Sequence, residues 1–154
     1  MAEWPIMERT RTHNVANLVA DWRELLLTET DELDRAGVHA AIVAIRIEGD
    51  NVAAATRSTQ RAASLLARRI RPTDRLGTPD SSSLAVLLSP SIELTQTIEQ
   101  VRGLSLAMSN HQIQAVTAFA HRRPNEVLLE TWARAEAEVD RAIFRRLHGA
   151  GISI

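Results

Sequence analysis

Residues 71–88 have the sequence RPTDRLGTPDSSSLAVLL, in which polar turn residues stand directly before a run of apolar residues. Pro72 cannot continue a helix, because it lacks a backbone N–H and its ring clashes with the preceding turn. Asp80 and the three serines after it are typical of tight turns. The apolar run 84–88 predicts a buried strand. This stretch therefore predicts the end of a helix, followed by a β-hairpin whose turn lies near Asp80.

The segments on both sides of this hairpin alternate between helical and strand patterns. Apolar residues that recur every three or four positions predict helices at 14–37, 52–69, 92–108 and 126–147, the first with an Asn14 cap and a Gly37 stop. Runs of β-branched and apolar residues predict strands at 40–47, 113–120 and 152–154. This order predicts an α/β fold with a ferredoxin-like core, in which helices flank a mixed five-stranded sheet and an extra helix lies at the N-terminus. We expect residues 1–12 to form a flexible arm and residues 13–154 a single domain.

The composition restricts the chemistry that the chain can perform. Of its 154 residues 45% are hydrophobic and 24% are charged, and the net charge is −1, as in ordinary globular proteins. The chain has no cysteine, and all 18 basic residues are arginine. These absences exclude disulfides, thiolate zinc sites, P-loops and lysine-based catalysis. No apolar run approaches the ~20 residues that cross a bilayer, and residues 1–12 contain no signal-peptide core, so we expect a cytoplasmic protein without a membrane partner.

The spacing of Arg71, Asp74 and the turn resembles that of the GGDEF domains of diguanylate cyclases. Those domains carry an Arg-x-x-Asp motif, five further residues, the Gly-Gly-Asp/Glu-Glu-Phe turn and then an apolar strand. Here residues 75–79 separate Asp74 from the turn 80–84, and the apolar strand follows without a gap. The resemblance implies the GGDEF fold, which agrees with the predicted order of helices and strands.

The same resemblance implies that the residues needed for cyclase activity are replaced. In the family, an acidic residue of the turn and an aspartate of the first strand hold two divalent cations, which activate the 3′-hydroxyl and neutralise the triphosphate. The acidic pair of the turn corresponds to Ser82 and Ser83, the first-strand acid falls at or beside Arg46, and the phosphate-binding lysine corresponds to Leu147. A permanently charged guanidinium repels a metal ion, and Glu48 alone does not make a two-metal site. We therefore expect a degenerate GGDEF-like domain that is not an enzyme, with no catalytic residue, metal site or cofactor.

Arg71 and Asp74 correspond to the product-binding inhibitory site of the family, which implies cyclic di-GMP as a ligand. At such a site the arginine binds a phosphate or a guanine edge through paired hydrogen bonds, and the carboxylate accepts from guanine N–H groups. Arg102 on the next helix is a further candidate, although the apolar pattern of that helix also allows Gln100 in its place. A purely structural role for Arg71 and Asp74 stays open, because a cation suits a helix C-terminus and aspartate suits a turn.

Two functions are therefore compatible with the sequence. The chain is either a catalytically inactive regulatory module that binds cyclic di-GMP, or a protein–protein interaction or dimerisation scaffold with no nucleotide ligand. In the second case the amphipathic N-terminal helix, with Trp4 and Trp22, supplies the surface for a protein partner or a second copy. A nucleic-acid partner is disfavoured, because strands 40–47 and 84–88 hold no aromatic residue on which a base could stack.

Overall fold

The computed structural model describes residues 18–19, 21–90 and 93–152. The elements in chain order are β1 (Leu18–Val19), α1 (Trp22–Ala36), β2 (Ala41–Ile47), α2 (Val52–Ala67), β3 (Arg75–Asp80), β4 (Ser83–Leu88), α3 (Leu94–Asn110), β5 (Ala115–His121) and α4 (Leu128–Ile152). The predicted hairpin is present as β3 and β4. From β2 to α4, the helices and strands occur in the predicted order.

The first helix begins later than the predicted Asn14, which lies outside the described residues together with the predicted arm at 1–12. Asp21 caps this helix, because its side chain accepts a hydrogen bond of 3.1 Å from the backbone N–H of Glu24. Upstream of the cap, β1 pairs in parallel with β3. The helical prediction for 18–19 is therefore wrong, because capping and strand pairing override the spacing of the apolar residues there. The predicted stop at Gly37 is confirmed, since this residue has a φ of 66° and donates to the carbonyl of Leu33.

The strand predicted at 152–154 is wrong at Ile152, because α4 continues through this residue. Residues 153 and 154 lie outside the described part of the chain. Gly149 and Gly151 do not end α4, because each glycine disfavours a helix by only about 1 kcal/mol. The fifth strand of the sheet is β1 instead.

The sheet has the predicted ferredoxin-like core. Its strand order is β1-β3-β4-β2-β5, and β1–β3 is a parallel pair whereas the other neighbours are antiparallel. The β2-α2-β3-β4-α3-β5 part is the split βαβ arrangement of ferredoxin-like folds. The sheet is therefore mixed and five-stranded, as predicted.

Helices cover both faces of the sheet, which explains why β4 is buried along its whole length and β2 is apolar except at Arg46. On one face, Val43 and Ile45 of β2 pack with Leu66 of α2 and Leu104 of α3 in the main hydrophobic cluster. On the other face, α1 and α4 pack against the alternate residues of the strands. A strand that is covered on both faces has no polar side to expose.

The two ends of the sheet hold different groups. At one end, Arg46 near the end of β2 lies opposite Ser83, at the start of β4. We call this the turn end, because the β3–β4 turn lies there. At the other end, Ala41 lies opposite Leu88, close to where β3 begins, and we call this the Leu88 end. Within the described residues, no helix combines the length and the apolar character that crossing a bilayer requires.

Candidate functional site

Arg46 is held at the turn end by two carboxylates of α4. Its Nη2 donates hydrogen bonds of 3.2 Å to Oε2 of Glu136 and of 3.2 Å to Oδ1 of Asp140. Burial lowers the pKa of Arg46, but the hydrogen bonds and charges of these two carboxylates outweigh it, so the pKa lies above its ordinary value. The end of β2 therefore carries a fixed positive charge.

Glu48 is also tied to α4. Its two carboxylate oxygens accept hydrogen bonds of 3.0 and 2.6 Å from Nη1 and Nη2 of Arg146. The hydrogen bond from Arg146 lowers the pKa of this carboxyl group, against a smaller opposing effect of burial. The carboxylate is thus ionised but already occupied by a guanidinium.

The one acidic side chain of the β3–β4 turn, that of Asp80, accepts hydrogen bonds from within the turn. Oδ1 of Asp80 accepts hydrogen bonds from the backbone N–H of Ser82 (2.9 Å) and from its hydroxyl (3.3 Å), which is an Asx turn. Ser83 is buried and begins β4. Within the described ranges, no group of three or more histidine, aspartate or glutamate side chains could hold a metal ion. The residues at the turn end do not fit the two-metal site that the GGDEF resemblance implies.

Arg71 and Asp74 form a compact pair at the Leu88 end, between α2 and β3. The backbone N–H of Arg71 donates to Oδ2 of Asp74 at 2.9 Å, and its Nη2 donates to Oδ1 at 2.9 Å. Nη2 also donates to the carbonyl of Pro90 at 2.9 Å. The Asp74 side chain is 2% exposed, whereas that of Arg71 is 31% exposed. The carboxylate is therefore enclosed, and the guanidinium is the part of the pair that solvent reaches.

A cavity of about 300 Å³ opens beside this pair. Its polar lining comes from Arg69, Arg71, Asp74 and Gln100, and its other lining residues are Ile70, Leu88, Gly103 and Leu104. The cavity lies between the segment that follows α2 and the middle of α3.

The structure brings Arg71 and Asp74 together but places Arg102 elsewhere. Gln100, Gly103 and Leu104 lie on one face of α3, as positions i, i+3 and i+4. Arg102 is two positions from Gln100, about 200° around the helix, and its exposed side chain does not line the cavity. The geometry therefore does not support Arg102 as a residue of the ligand site. It supports Gln100, which lines the cavity.

Trp22 is part of the core and not of an exposed docking surface. It is 3% exposed and packs edge-to-face on Trp132, with ring centroids 6.3 Å apart. The predicted scaffold surface is therefore wrong with respect to Trp22. Trp4, the other residue of that surface, lies outside the described residues.

Sequence reasoning missed two of the cavity residues, Arg69 and Gly103. Arg69 belongs to a run of arginines that has the appearance of a solvated helix face. Gly103 has a signal in the sequence, because a glycine inside an otherwise regular helix pattern lowers helix stability and indicates a packing or functional reason.

Comparison with known proteins gives matches at the level of structure alone. No family model matches the sequence, and no curated protein matches it. The fold is similar to the GGDEF domain of DgcB from Caulobacter crescentus in complex with c-di-GMP, with a TM-score of 0.66 and 15% identity over 82% of this chain and 80% of that one. It is also similar to the active GGEEF domain of a diguanylate cyclase from Vibrio cholerae, with a TM-score of 0.65 and 11% identity over 79% of this chain and 90% of that one.

A third similar structure includes a protein partner. This is the diguanylate cyclase SiaD in complex with its activator SiaC from Pseudomonas aeruginosa, with a TM-score of 0.68 and 14% identity over 92% of this chain and 65% of that one. Identities this low establish the architecture and not the chemistry. The protein has the fold of a GGDEF domain.

Proposed function

We propose that this protein is a regulatory module with the GGDEF fold that does not make cyclic di-GMP but binds it at the Leu88 end. The observation that carries the proposal is the cavity beside Arg71, in which Asp74 and Pro90 hold the guanidinium in one orientation. An alternative is a protein scaffold without a nucleotide ligand, and the experiment below distinguishes the two.

The charges at the turn end support the absence of cyclase activity. Nucleotidyl transfer through two metal ions needs carboxylates that are free to coordinate them. Arg46 instead places a cation at this end, and Glu48 is paired with Arg146. The carboxylates nearest to Arg46, those of Glu136 and Asp140, are paired with its guanidinium.

The chemistry of the cavity suits a guanine base or a phosphate. A guanidinium held in one orientation places a localised positive charge at the cavity, which suits the acceptor edge of guanine (O6 and N7) or a phosphodiester. Ile70, Leu88 and Leu104 supply apolar wall for a planar base, and Gln100 supplies an amide. A volume of about 300 Å³ is at the lower end for ligand pockets, so we expect one base to enter while the rest of the ligand stays at the surface.

Asp74 has a different role in this site than the resemblance implied. Its carboxylate already accepts from the backbone and the side chain of Arg71 and is buried. We therefore propose that Asp74 is a positioning residue that orients Arg71, and that it does not accept from guanine itself.

Gly103 gives independent support for a ligand at this position. A Cβ atom added to Gly103 would meet no heavy atom within 4 Å, so packing within the protein does not require glycine. A glycine inside a helix costs about 1 kcal/mol relative to alanine. Because Gly103 lines the cavity, its small size is explained by the close approach of a bound molecule.

Calorimetric titration with cyclic di-GMP, alongside GTP, tests the proposal. Gly103→Leu should fill the cavity mouth without disturbing the fold and weaken cyclic di-GMP binding at least tenfold. The matched variant Gly103→Ala should fold at least as well as the wild type and should weaken binding measurably, but less than Gly103→Leu does, because its side chain is smaller. Binding that Gly103→Leu leaves unchanged would place the ligand elsewhere. The absence of any heat with the wild type at high micromolar ligand would favour the scaffold.

A further inference from the structure

Among the described residues, β5 is the long edge strand of the sheet. This strand pairs with β2 on one side only, whereas the opposite edge of the sheet is the two-residue strand β1. The seven residues of β5 are AVTAFAH, with no proline, lysine, arginine or acidic residue. Soluble proteins normally protect a long edge strand with charges, prolines, bulges or a covering segment. Within the described residues, β5 has none of these along its length.

The backbone groups that point outward from this edge can be identified. The N–H of Arg122 donates to the carbonyl of Ala40, and the N–H of Glu48 donates to that of Gln114, so even-numbered residues of this segment face β2. Because hydrogen-bonding direction alternates along a strand, the N–H and C=O groups of 115, 117, 119 and 121 point away from the sheet. Nη2 of Arg134 donates to the carbonyl of His121 at the end of the strand. The outward groups of 115, 117 and 119 form the open part of the edge.

A groove follows this open edge, with α4 as its second wall. Its volume is about 560 Å³, and it is lined by the strand at 118–121 and by Ala137, Glu138 and Arg141 of α4, together with Arg123 and Arg134. The apolar part of this lining comes from Ala118 and Ala120 of the strand and Ala137 of α4, whereas the Phe119 side chain packs against the main hydrophobic cluster on the other face of the sheet. The groove thus combines unpaired backbone with apolar surface, which is what an added strand requires.

We propose that the occupant is the β5 strand of a second copy of this chain, added antiparallel about a two-fold axis at Ala118. This inference does not depend on the proposed function. In this register, Thr117 and Phe119 of one copy lie opposite Phe119 and Thr117 of the other and exchange two N–H···O=C bonds in each pair. Every large side chain meets a smaller one: Phe119 meets Thr117, Val116 meets Ala120, and His121 meets Ala115. The strand is therefore complementary to itself in size.

The charges beside the edge are also compatible with a second copy. The flank of α4 that borders the groove carries Arg134, Glu138 and Arg141, so both signs are present. Glu138 pairs with Arg141, and Arg134 pairs with Glu126, within one chain, so a two-fold axis that brings this flank next to its own copy does not oppose unpaired like charges. Ala137, which lies between the charged positions, leaves room for the two helices to approach.

The oligomeric state and the exchange of individual amides test the proposal. Sedimentation of the full chain should give a species of twice 17.0 kDa at high micromolar concentration. Ala137→Arg should raise the dimer dissociation constant at least tenfold, because it adds bulk and positive charge beside Arg134 and Arg141. Ala133→Arg makes the same change at an exposed position of α4 outside the groove and should leave the constant within about twofold of wild type.

Hydrogen exchange gives a second readout that keeps the test independent of folding defects. The amides of Thr117 and Phe119 should become protected as the concentration rises and the dimer forms. A wild-type monomer in which these amides exchange freely would overturn the proposal. Protection that does not vary with concentration would also overturn it, because another segment of the same chain would then cover the edge. A dimer that Ala137→Arg leaves intact would place the interface elsewhere.

Discussion

The ring of Trp22 lies against the backbone of Gly77 with no space for a side chain between them. A Cβ atom at Gly77 would be 2.4 Å from Cε3 and 2.7 Å from Cδ2 of Trp22. Gly77 belongs to β3, the strand that pairs with β1, while Trp22 begins α1 directly after the Asp21 cap. This contact fixes how the first helix packs on the sheet.

Gly77→Ala should therefore destabilise the protein, because the indole and the surrounding core must shift to accept a methyl group. We expect a loss of about 1–3 kcal/mol in the free energy of unfolding, the range for overpacking in a core. Gly103→Ala is the matched control, since its new methyl group meets open space on a helix. That variant should gain about 0.5–1 kcal/mol. Urea denaturation of both variants measures the difference in the free energy of unfolding. Equal effects of the two substitutions would show that Trp22 shifts to accept the methyl group without a loss of stability.

Glu126 makes the stability depend on pH in the acid range. Its buried carboxylate accepts hydrogen bonds from Nε (2.9 Å) and Nη2 (2.7 Å) of Arg134, and from the hydroxyl of Thr131 at 2.8 Å. The hydrogen bonds from Arg134, partly offset by burial, lower the pKa of Glu126 from 4.5 to about 2. Below pH 4.5 the unfolded chain takes up a proton at this carboxyl group, whereas the folded chain does not. The contribution of Glu126 is therefore complete above pH 4.5 and is lost as the pH falls towards 2.

Glu126→Gln removes this contribution. At pH 7 the variant should be less stable by about 1.5–3 kcal/mol, the range for hydrogen bonds to a charged group. The difference from wild type should shrink as the pH falls from 4.5 towards 2. Urea titrations at several pH values measure it, with Glu99→Gln, at an exposed position of α3, as the control. A difference that stays constant across this range would mean that the Glu126 carboxyl group has an ordinary pKa.

Local sequence signals predicted most of the fold, and the failures come from long-range contacts. The apolar runs in β2 and β4 are unambiguous because a strand that is covered on both faces needs few polar side chains. A two-residue strand such as β1 carries no periodicity, and only its pairing with β3 defines it.

The candidate site shows the same division between local and long-range information. The pair of Arg71 and Asp74 is three residues apart, so its ion pair could be expected from the sequence. The carboxylate partners of Arg46 lie 90 and 94 positions away on α4, and no local pattern indicates them. The choice between Gln100 and Arg102 depends on the rotation of α3 about its axis, which a single turn of apolar residues does not determine.

Divalent cations should not stabilise the wild-type protein. A ligand raises the melting temperature only if it binds the folded state, and the carboxylates of Glu48, Glu136 and Asp140 at the turn end are each paired with an arginine. We expect the melting temperature in millimolar magnesium or manganese to equal that in a chelator. The same samples should form no cyclic di-GMP from GTP above a heat-treated control. A reproducible rise in melting temperature with magnesium would contradict this prediction and would indicate a site at Glu48 or Asp50.

Binding of cyclic di-GMP should depend on the geometry of the Arg71 guanidinium and not on its charge alone. Arg71→Lys keeps the positive charge but loses the planar fork of donors, so we expect at least tenfold weaker binding, or about 1.4 kcal/mol. Affinity should fall as salt rises, because the contact with an anionic ligand is partly electrostatic, and it should not require magnesium. Asp74→Asn should weaken binding through the loosened Arg71 side chain while leaving the salt dependence of the remaining affinity unchanged. Arg57→Lys, at an exposed position of α2 outside the cavity, makes the same exchange as the control and should bind as the wild type does. If Arg71→Lys binds with wild-type affinity while melting normally, Arg71 contributes only charge, and the proposed role of the oriented guanidinium is wrong.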